Sequence, residues 1–360
     1  MISHSYIPKI NQKKLEELSK KVELVLLTPK KWKHTLKTYE LEENEKISII
    51  PKKIILKGSF YMFLNLSELY DIKPDIIHIE EEPWSLSCFQ SVRAGKILNR
   101  KTILFTWENI YKNFLPPLSF FEKYNLKHAD YAISGNKDAK KVLIKKGFSK
   151  PIKVLPQLGI DPATFKPQDT SYIKDRLNLD GFVIGFVGRL VHEKGLSTLI
   201  DAISKIKQEY TLLIVGGGEI KRDIVELAEK LDLKDKIRFV DSIPHAEVSK
   251  YLSCMDVLVL PSITTEKWKE QFGHVLVEAM SCEVPVIGSN SGEIPNVIGD
   301  AGLVFKEKDA TELAEKIKIL MSDENLRKSL AKKGRKRVLK NYTWERIAEE
   351  TYKIYQQLLV

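Results

Sequence analysis

The sequence predicts an α/β protein built from two doubly wound, parallel-sheet domains in tandem. Two observations carry the expectation. Short apolar runs alternate with helical patterns along the whole chain, and this alternation is interrupted between Pro156 and Asn178. A length of 360 residues also exceeds what one core usually fills. Repeated strand–helix units imply parallel strands covered by helices on both faces.

Each element follows from its local pattern. Met1–Pro8 reads as the tail of a strand that is very short or begins beyond the sequence. Leu15 and Leu18 among charges predict an amphipathic helix over 11–20, and Val22–Leu27 a strand. The stretch 47–56 holds two strand-like runs, which Pro51 should separate. Strands then follow at 76–79, 102–105, 131–133 and 152–155, with helices over 84–98, 118–127 and 136–146, the last ended by Gly147. Pro156, Pro162, Pro167 and the polar run from Gln168 mark a boundary. Beyond it, strands are expected at 182–187, 212–215, 237–240, 257–260 and 284–287. Helices are expected over 196–206, 219–231 and 246–252, from Gly273, and over 310–321 and 325–339. The domains are therefore 1–165, 166–340 and a C-terminal helix, 341–360, that either caps its own domain or returns to the first. In such folds ligands sit at the carboxyl ends of strands, so a site between the domains is expected.

Composition narrows the class. An apolar content of 43 % and a charged content of 29 % suit a water-soluble globular protein. Cys88, Cys254 and Cys282 are widely spaced and lack a Cys-x-x-Cys, which argues against a disulfide framework or zinc site and for a reducing, cytoplasmic setting. No apolar run reaches the ~18 residues of a membrane span, and no signal peptide is recognised. Net charge is +10, concentrated in lysines between Lys9 and Lys37 and in eight basic residues, without an acid, between Arg327 and Lys340. Solvated helix faces explain such clusters; contact with anionic lipid at the inner membrane surface is the other reading. Nucleic acid is not expected, since no aromatic interleaving accompanies the charge.

The chemistry centres on Glu270 to Glu278. Glu270 ends a polar loop, Gly273 opens a helix, and Glu278 lies about 1.4 turns, roughly 7.5 Å, into it. Unpaired amides at a helix start attract anions. A carboxylate on each side suits a ligand with hydroxyls flanking a phosphate. Upstream, Gly188-Arg189 leaves one strand and Lys194-Gly195 precedes a helix, two cations fit to neutralise a diphosphate without a metal. Gly216-Gly217-Gly218 ends the next strand and permits close backbone approach. It is not a dinucleotide fingerprint, because Lys221 stands where the third glycine belongs.

These motifs, in this order and continued by Val284-Pro-Val-Ile-Gly288 and Ser291-Gly292-Glu293-Ile-Pro295, resemble glycosyltransferase family 4. The resemblance is strong from Gly185 to Val304. It implies the GT-B fold, with two Rossmann-like domains across a ligand cleft. It also implies retaining, metal-independent transfer of a hexose-type sugar from a UDP- or GDP-sugar to a glycan, lipid-linked or small-molecule hydroxyl. No cofactor is implied. By position, Arg189 and Lys194 hold the diphosphate and Glu270 faces the sugar. Gly188, Gly216 and Gly217 line the donor, and Phe272, Gly273, His274 and Val275 offer amides. Glu278 accepts from the ribose, and Ser242 and Ile243 line the base. Same-face attack, with the leaving phosphate taking the acceptor's proton, is favoured over a covalent intermediate on Glu270. The alternative function is a catalytically silent subunit that binds nucleotide or glycan.

The first domain departs from the family pattern. Ile10-Asn11 replaces a usual Gly-Gly turn, Gln157-Leu158 a usual Asn, and Thr106-Trp107-Glu108-Asn109 a usual Thr-x-His. Glu108 is either a base for the acceptor or a cap for the following helix. Glu80, Glu81 and Glu82 either meet acceptor hydroxyls, with Trp84 and Asn109 nearby, or cap the helix from Trp84. His4 and His78 read as core or surface residues rather than metal ligands.

Overall fold

The computed structural model describes residues 1–34, 37–56 and 58–360. It divides into two compact units: Met1–Gly159 with Trp344–Val360, and Ile160–Thr343. The chain thus leaves the first unit six residues before the expected boundary at 165, and the C-terminal helix, Trp344–Leu359, packs on the first unit.

The first unit contains β1 (Val25–Pro29), β2 (Lys31–His34), β3 (Lys37–Glu40), β4 (Ser48–Lys52), β5 (Ile54–Ile55) and β6 (Met62–Phe63). It continues with β7 (Ile76–Ile79), β8 (Lys101–Thr106), β9 (Tyr131–Ser134) and β10 (Ile152–Val154). Two parallel groups, β1-β4 and β10-β9-β8-β7, are joined by one residue. Ile2 bridges Leu27 on one side and Ile79 on the other. Its amide donates to the His78 carbonyl at 2.9 Å, and its carbonyl accepts from Glu80 N–H at 2.9 Å. The expected first strand is therefore present as a single central bridge.

Pro51 does not end its strand. It lies within β4, opposite Thr28, and this is tolerated because β4 is an edge strand where a missing N–H breaks no ladder. The β2–β3 and β5–β6 hairpins, absent from the sequence reading, are short pieces outside the parallel sheet. Alternate residues of the strands face two cores. Leu27, Ile77, Ile79 and Leu104 pack on one face with Val92 and Leu126. Leu26, Ile103, Phe105 and Ile133 pack on the other with Ile347, Ala348 and Ile354 of the C-terminal helix. Burial on both faces is what a parallel sheet requires.

The second unit contains β11 (Phe182–Val187), β12 (Tyr210–Val215), β13 (Ile237–Val240), β14 (Val257–Leu260), β15 (Val286–Ser289) and β16 (Gly302–Phe305). All pair in parallel, in the order β13-β12-β11-β14-β15-β16. That is the doubly wound order, and its direction of winding reverses between β11 and β14, where such sheets place ligands. The helices Ser171–Leu177, Ile294–Ile298 and Glu68–Ile72 and the strand β16 were not anticipated; each is seven residues or shorter, too brief to show a period. Among the described residues no helix is long and apolar enough to cross a membrane.

A buried charge network ties the first unit together. Glu80, 2 % exposed, accepts from Lys14 Nζ and Tyr6 Oη and from Gln157 Nε2 at 2.9 Å. Burial alone would raise its pKa, but Lys14 holds it below the usual carboxylate range. The stability it contributes is therefore present above that range and lost as the pH falls through it. Burial pushes neighbouring His78 down to about 3, so it is neutral and shares a 2.8 Å hydrogen bond with Tyr355 Oη. Lys14→Met leaves Glu80 as an uncompensated buried charge and should cost about 3–5 kcal/mol in urea unfolding. Adding Glu80→Gln to that variant should recover much of the loss; no recovery would mean the pair is not the cause.

Candidate functional site

The second unit assembles its candidate residues at the carboxyl ends of β11 and β14, on either side of the winding reversal. Gly188 and Arg189 directly follow β11, with Arg189 exposed. Lys194 ends a single 3-10 turn, His192–Lys194, which Gly195 terminates in the left-handed region at φ 66°. A Cβ on Gly195 would lie 2.0 Å from the Pro261 carbonyl oxygen, so only glycine allows this turn to meet the end of β14. That contact carries Lys194 to Glu270.

Lys194 Nζ lies 2.6 Å from Glu270 Oε2, and Ser262 Oγ donates to the same oxygen at 2.9 Å. Glu270 is buried at 7 % exposure. Its carbonyl accepts from Glu293 N–H at 3.1 Å, which ties the Ser291-Gly292-Glu293 motif to the same loop. Two residues expected to meet different parts of a ligand are thus paired with each other.

Gly273 then caps the helix His274–Ser281. The amides of His274 and Val275 open this helix, where no intrahelical acceptor exists, while the Phe272 ring is buried against Tyr342 at 5.5 Å between centroids. Glu278 sits one turn in and is bonded to a residue that sequence reasoning missed: His245 Nε2 is 2.8 Å from Glu278 Oε1. The Glu278 hydrogen bond raises the His245 pKa above its ordinary value, against a smaller effect of burial. His245 follows Ser242 and Ile243 in the loop after β13, and its ring meets Phe165 at 5.1 Å. The Phe165 carbonyl accepts from Ser281 Oγ at 2.5 Å, so the linker is fastened to the far end of the same helix.

The glycine run after β12 packs closely against the end of β11. A Cβ on Gly216 would fall 2.0 Å from the Gly188 carbonyl oxygen, and one on Gly218 2.2 Å from that of Leu190. These glycines let the ends of β11 and β12 approach each other; their smallness is used within the protein.

In the first unit the acids part company. Glu80 is consumed by Lys14 and Tyr6. Glu81 accepts from His4 N–H at 2.7 Å and lies 2.8 Å from His4 Nδ1. Neither caps a helix: the helix Leu86–Ile97 is capped by Ser85, whose side chain accepts from Cys88 N–H. Glu82 accepts from Thr106 Oγ1 at 2.5 Å and Trp107 N–H at 2.9 Å, and burial raises its pKa to about 7. Glu108 caps nothing either, because the next helix begins at Leu118. It pairs with Lys146 at 3.0 Å, which also binds Glu122 at 2.6 Å, and burial raises its pKa above the usual value. Asn109 is buried. Trp84 packs on Phe114 at 5.4 Å. Gln157, where the resemblance expects Asn, accepts from Trp107 Nε1 at 3.0 Å while donating to Glu80.

Residues 168–337 match the family described as Glycosyl transferases group 1. The second unit is therefore similar to a group 1 glycosyltransferase domain over those residues. The group 1 match has similar company among curated relatives. The chain is 33 % identical over 192 residues to the capsular polysaccharide biosynthesis glycosyltransferase CapM of Staphylococcus aureus, covering 50 % of this chain and 47 % of that protein. It is 33 % identical over 170 residues to N-acetyl-alpha-D-glucosaminyl L-malate synthase of Bacillus anthracis, covering 46 % and 43 %. The chain thus spans about half the length of the curated relatives it matches. Whole-chain likeness comes from solved structures. Sucrose-phosphate synthase of Thermosynechococcus elongatus superposes with a TM-score of 0.72 at 22 % identity, over 99 % of this chain and 98 % of that one. Anabaena HepE, solved in complex with UDP, gives 0.75 at 17 % identity over 99 % and 98 %. At such identities the likeness establishes the GT-B fold.

His245 and Ser262 had a signal that spacing could not convey, since each lies beyond the Glu270–Glu278 segment and reaches it only through strand order. The His245–Glu278 contact is directly measurable. In an NMR titration, His245 should titrate above the ordinary histidine value of about 6.5, and Glu278→Gln should bring its midpoint down. An unchanged midpoint in the variant would show that Glu278 does not hold the imidazolium.

Proposed function

We propose that the protein is a retaining, metal-independent glycosyltransferase that moves a hexose-type sugar from a nucleoside diphosphate sugar to an acceptor hydroxyl. The observation that carries this reading is the Lys194–Glu270 pair beside the amide end of the helix His274–Ser281, with Glu278 one turn further on. A transferred sugar develops positive charge at its anomeric carbon, while the departing diphosphate gains negative charge. Lys194, Arg189 and the helix amides suit the phosphates, where fixed donors lower the barrier most. Released from Lys194, the Glu270 carboxylate orients sugar hydroxyls and favours the developing positive charge. Glu278 suits the ribose, and Ser242 and Ile243 lie beside the base. Gly188, with the Gly216–Gly217 turn, forms the floor.

In this reading the charge of the diphosphate falls to the Lys194 and Arg189 cations and to the helix amides. Same-face attack, with the leaving phosphate accepting the acceptor's proton, needs no second carboxylate at the sugar.

The acceptor side draws on the first unit. The segment after β8 and its helix present Tyr111, Leu115 and Phe120, the last two 83 % and 57 % exposed. Lys145 Nζ lies 4.3 Å from the centre of the Tyr111 ring, and Lys146 4.8 Å from that of Phe114. Aromatic and aliphatic surface next to ammonium groups favours the lipid-linked class of acceptor over a bare glycan. An anionic membrane surface, approached through exposed lysines, is where such an acceptor would be met. All four carboxylates are engaged within the first unit, Glu80 by Lys14, Glu81 by His4, Glu82 by Thr106 and Trp107 and Glu108 by Lys146, so an acceptor hydroxyl would displace one of these partners.

The test is transfer and binding together. Calorimetry with UDP, GDP and ADP should find one preferred nucleotide. Lys194→Ala and Glu270→Ala should each lower kcat by about 10²–10³-fold while circular dichroism shows an intact fold. Near-normal turnover in both variants would overturn the assignment, and nucleotide binding without any donor hydrolysis or transfer would favour a silent binding subunit.

A further inference from the structure

Resting on that proposed reading of the donor, we propose that Trp268 is a specificity-determining residue that forms the wall of the transferred sugar's subsite. Neither composition nor spacing marks it, because it sits inside the polar stretch between β14 and the helix His274–Ser281. The structure gives that stretch a definite shape. Thr265 N–H donates to the Trp268 carbonyl at 2.7 Å, and Trp268 N–H donates to Thr265 Oγ1 at 3.0 Å. One residue earlier, Thr264 N–H is bound by the Glu307 carboxylate and Thr264 Oγ1 lies 3.0 Å from Ser291 Oγ. The indole is thus presented by a loop closed on itself and fastened to the Ser291 motif.

Its position decides the role. Lys194 Nζ lies 5.2 Å from the centre of the Trp268 ring and 2.6 Å from Glu270 Oε2. The ammonium therefore fills the space between an aromatic face and a carboxylate, attracted by both. A diphosphate draws Lys194 toward its own charge. The space it leaves is bounded by an acceptor of hydroxyl hydrogen bonds on one side and by the negative face of an aromatic ring on the other. A pyranose matches those walls. Its hydroxyls turn to Glu270, and the weakly positive C–H bonds of its less polar face lie against the ring. The indole N–H finds no hydrogen-bond partner among the described residues and adds a donor for one further hydroxyl. A nucleoside diphosphate without a sugar reaches the cations and Glu278 but not this wall.

Calorimetry separates the parts. UDP and UDP-glucose, or GDP and GDP-mannose if guanine is preferred, are titrated into the wild type, Trp268→Ala and Trp268→Phe. Trp268→Ala should weaken the sugar nucleotide about tenfold and leave the bare nucleoside diphosphate within about twofold, with Trp268→Phe in between. Equal weakening of both ligands would mean that the ring acts only through Lys194 and the phosphates, and no weakening of either would mean that it faces away from the ligand; both overturn the proposal. Failure of the wild type to bind any of these nucleotides would instead overturn the donor reading on which the proposal rests. The thermal midpoint of each variant shows whether the loop still folds.

Discussion

The contact between Lys194 and Glu270 joins residues 76 positions apart and sets the geometry around it. Neither could sit where it does without the meeting of the His192–Lys194 turn and the end of β14, at Gly195 and Pro261. The pair is mostly shielded from water, with side chains 16 % and 9 % exposed, so each charge depends on the other more than a surface pair would. A ligand that takes one of them must also satisfy the partner it leaves behind. In the proposed reading a sugar nucleotide would do both at once, with phosphate for the ammonium and hydroxyls for the carboxylate. An unrelated anion supplies only half, and that asymmetry is a source of selectivity in its own right.

Much of the second unit was legible from sequence for a simple reason. Strands buried on both faces read as unbroken apolar runs, and β11 and β14 begin and end where those runs do. The residues at their carboxyl ends were legible too, since glycines, cations and carboxylates stand out against such runs. What spacing could not supply was which of these residues touch. The Lys194–Glu270 and His245–Glu278 pairs depend on strand order, and strand order is not written in any local pattern. β16 escaped notice because four residues beginning with a glycine show too little apolar character.

The first unit shows a different kind of illegibility. Three consecutive glutamates look alike in a sequence, yet their surroundings separate them completely. Successive residues of an extended chain point in opposite directions, and here each direction holds different company. Glu80 meets Lys14 and Tyr6, Glu81 meets His4, and Glu82 meets Thr106. Lys14 and His4 come from the amino-terminal segment that Ile2 inserts beside β7, so the fate of the acids was decided by a single bridging residue. All three acids are thus engaged within the first unit.

The hydrogen bond from His245 to Glu278 has a thermodynamic side. While it stands, Glu278 favours the protonated imidazole. If a ribose claims that carboxylate, the imidazole loses its support and its affinity for a proton drops. Uptake of the nucleotide is then accompanied by release of a proton wherever the histidine was still charged. By linkage the nucleotide is held more tightly as the pH rises through that interval. A loop histidine that touches no phosphate thereby becomes a counterweight to the ligand, and local acidity enters the affinity as a second variable beside nucleotide concentration.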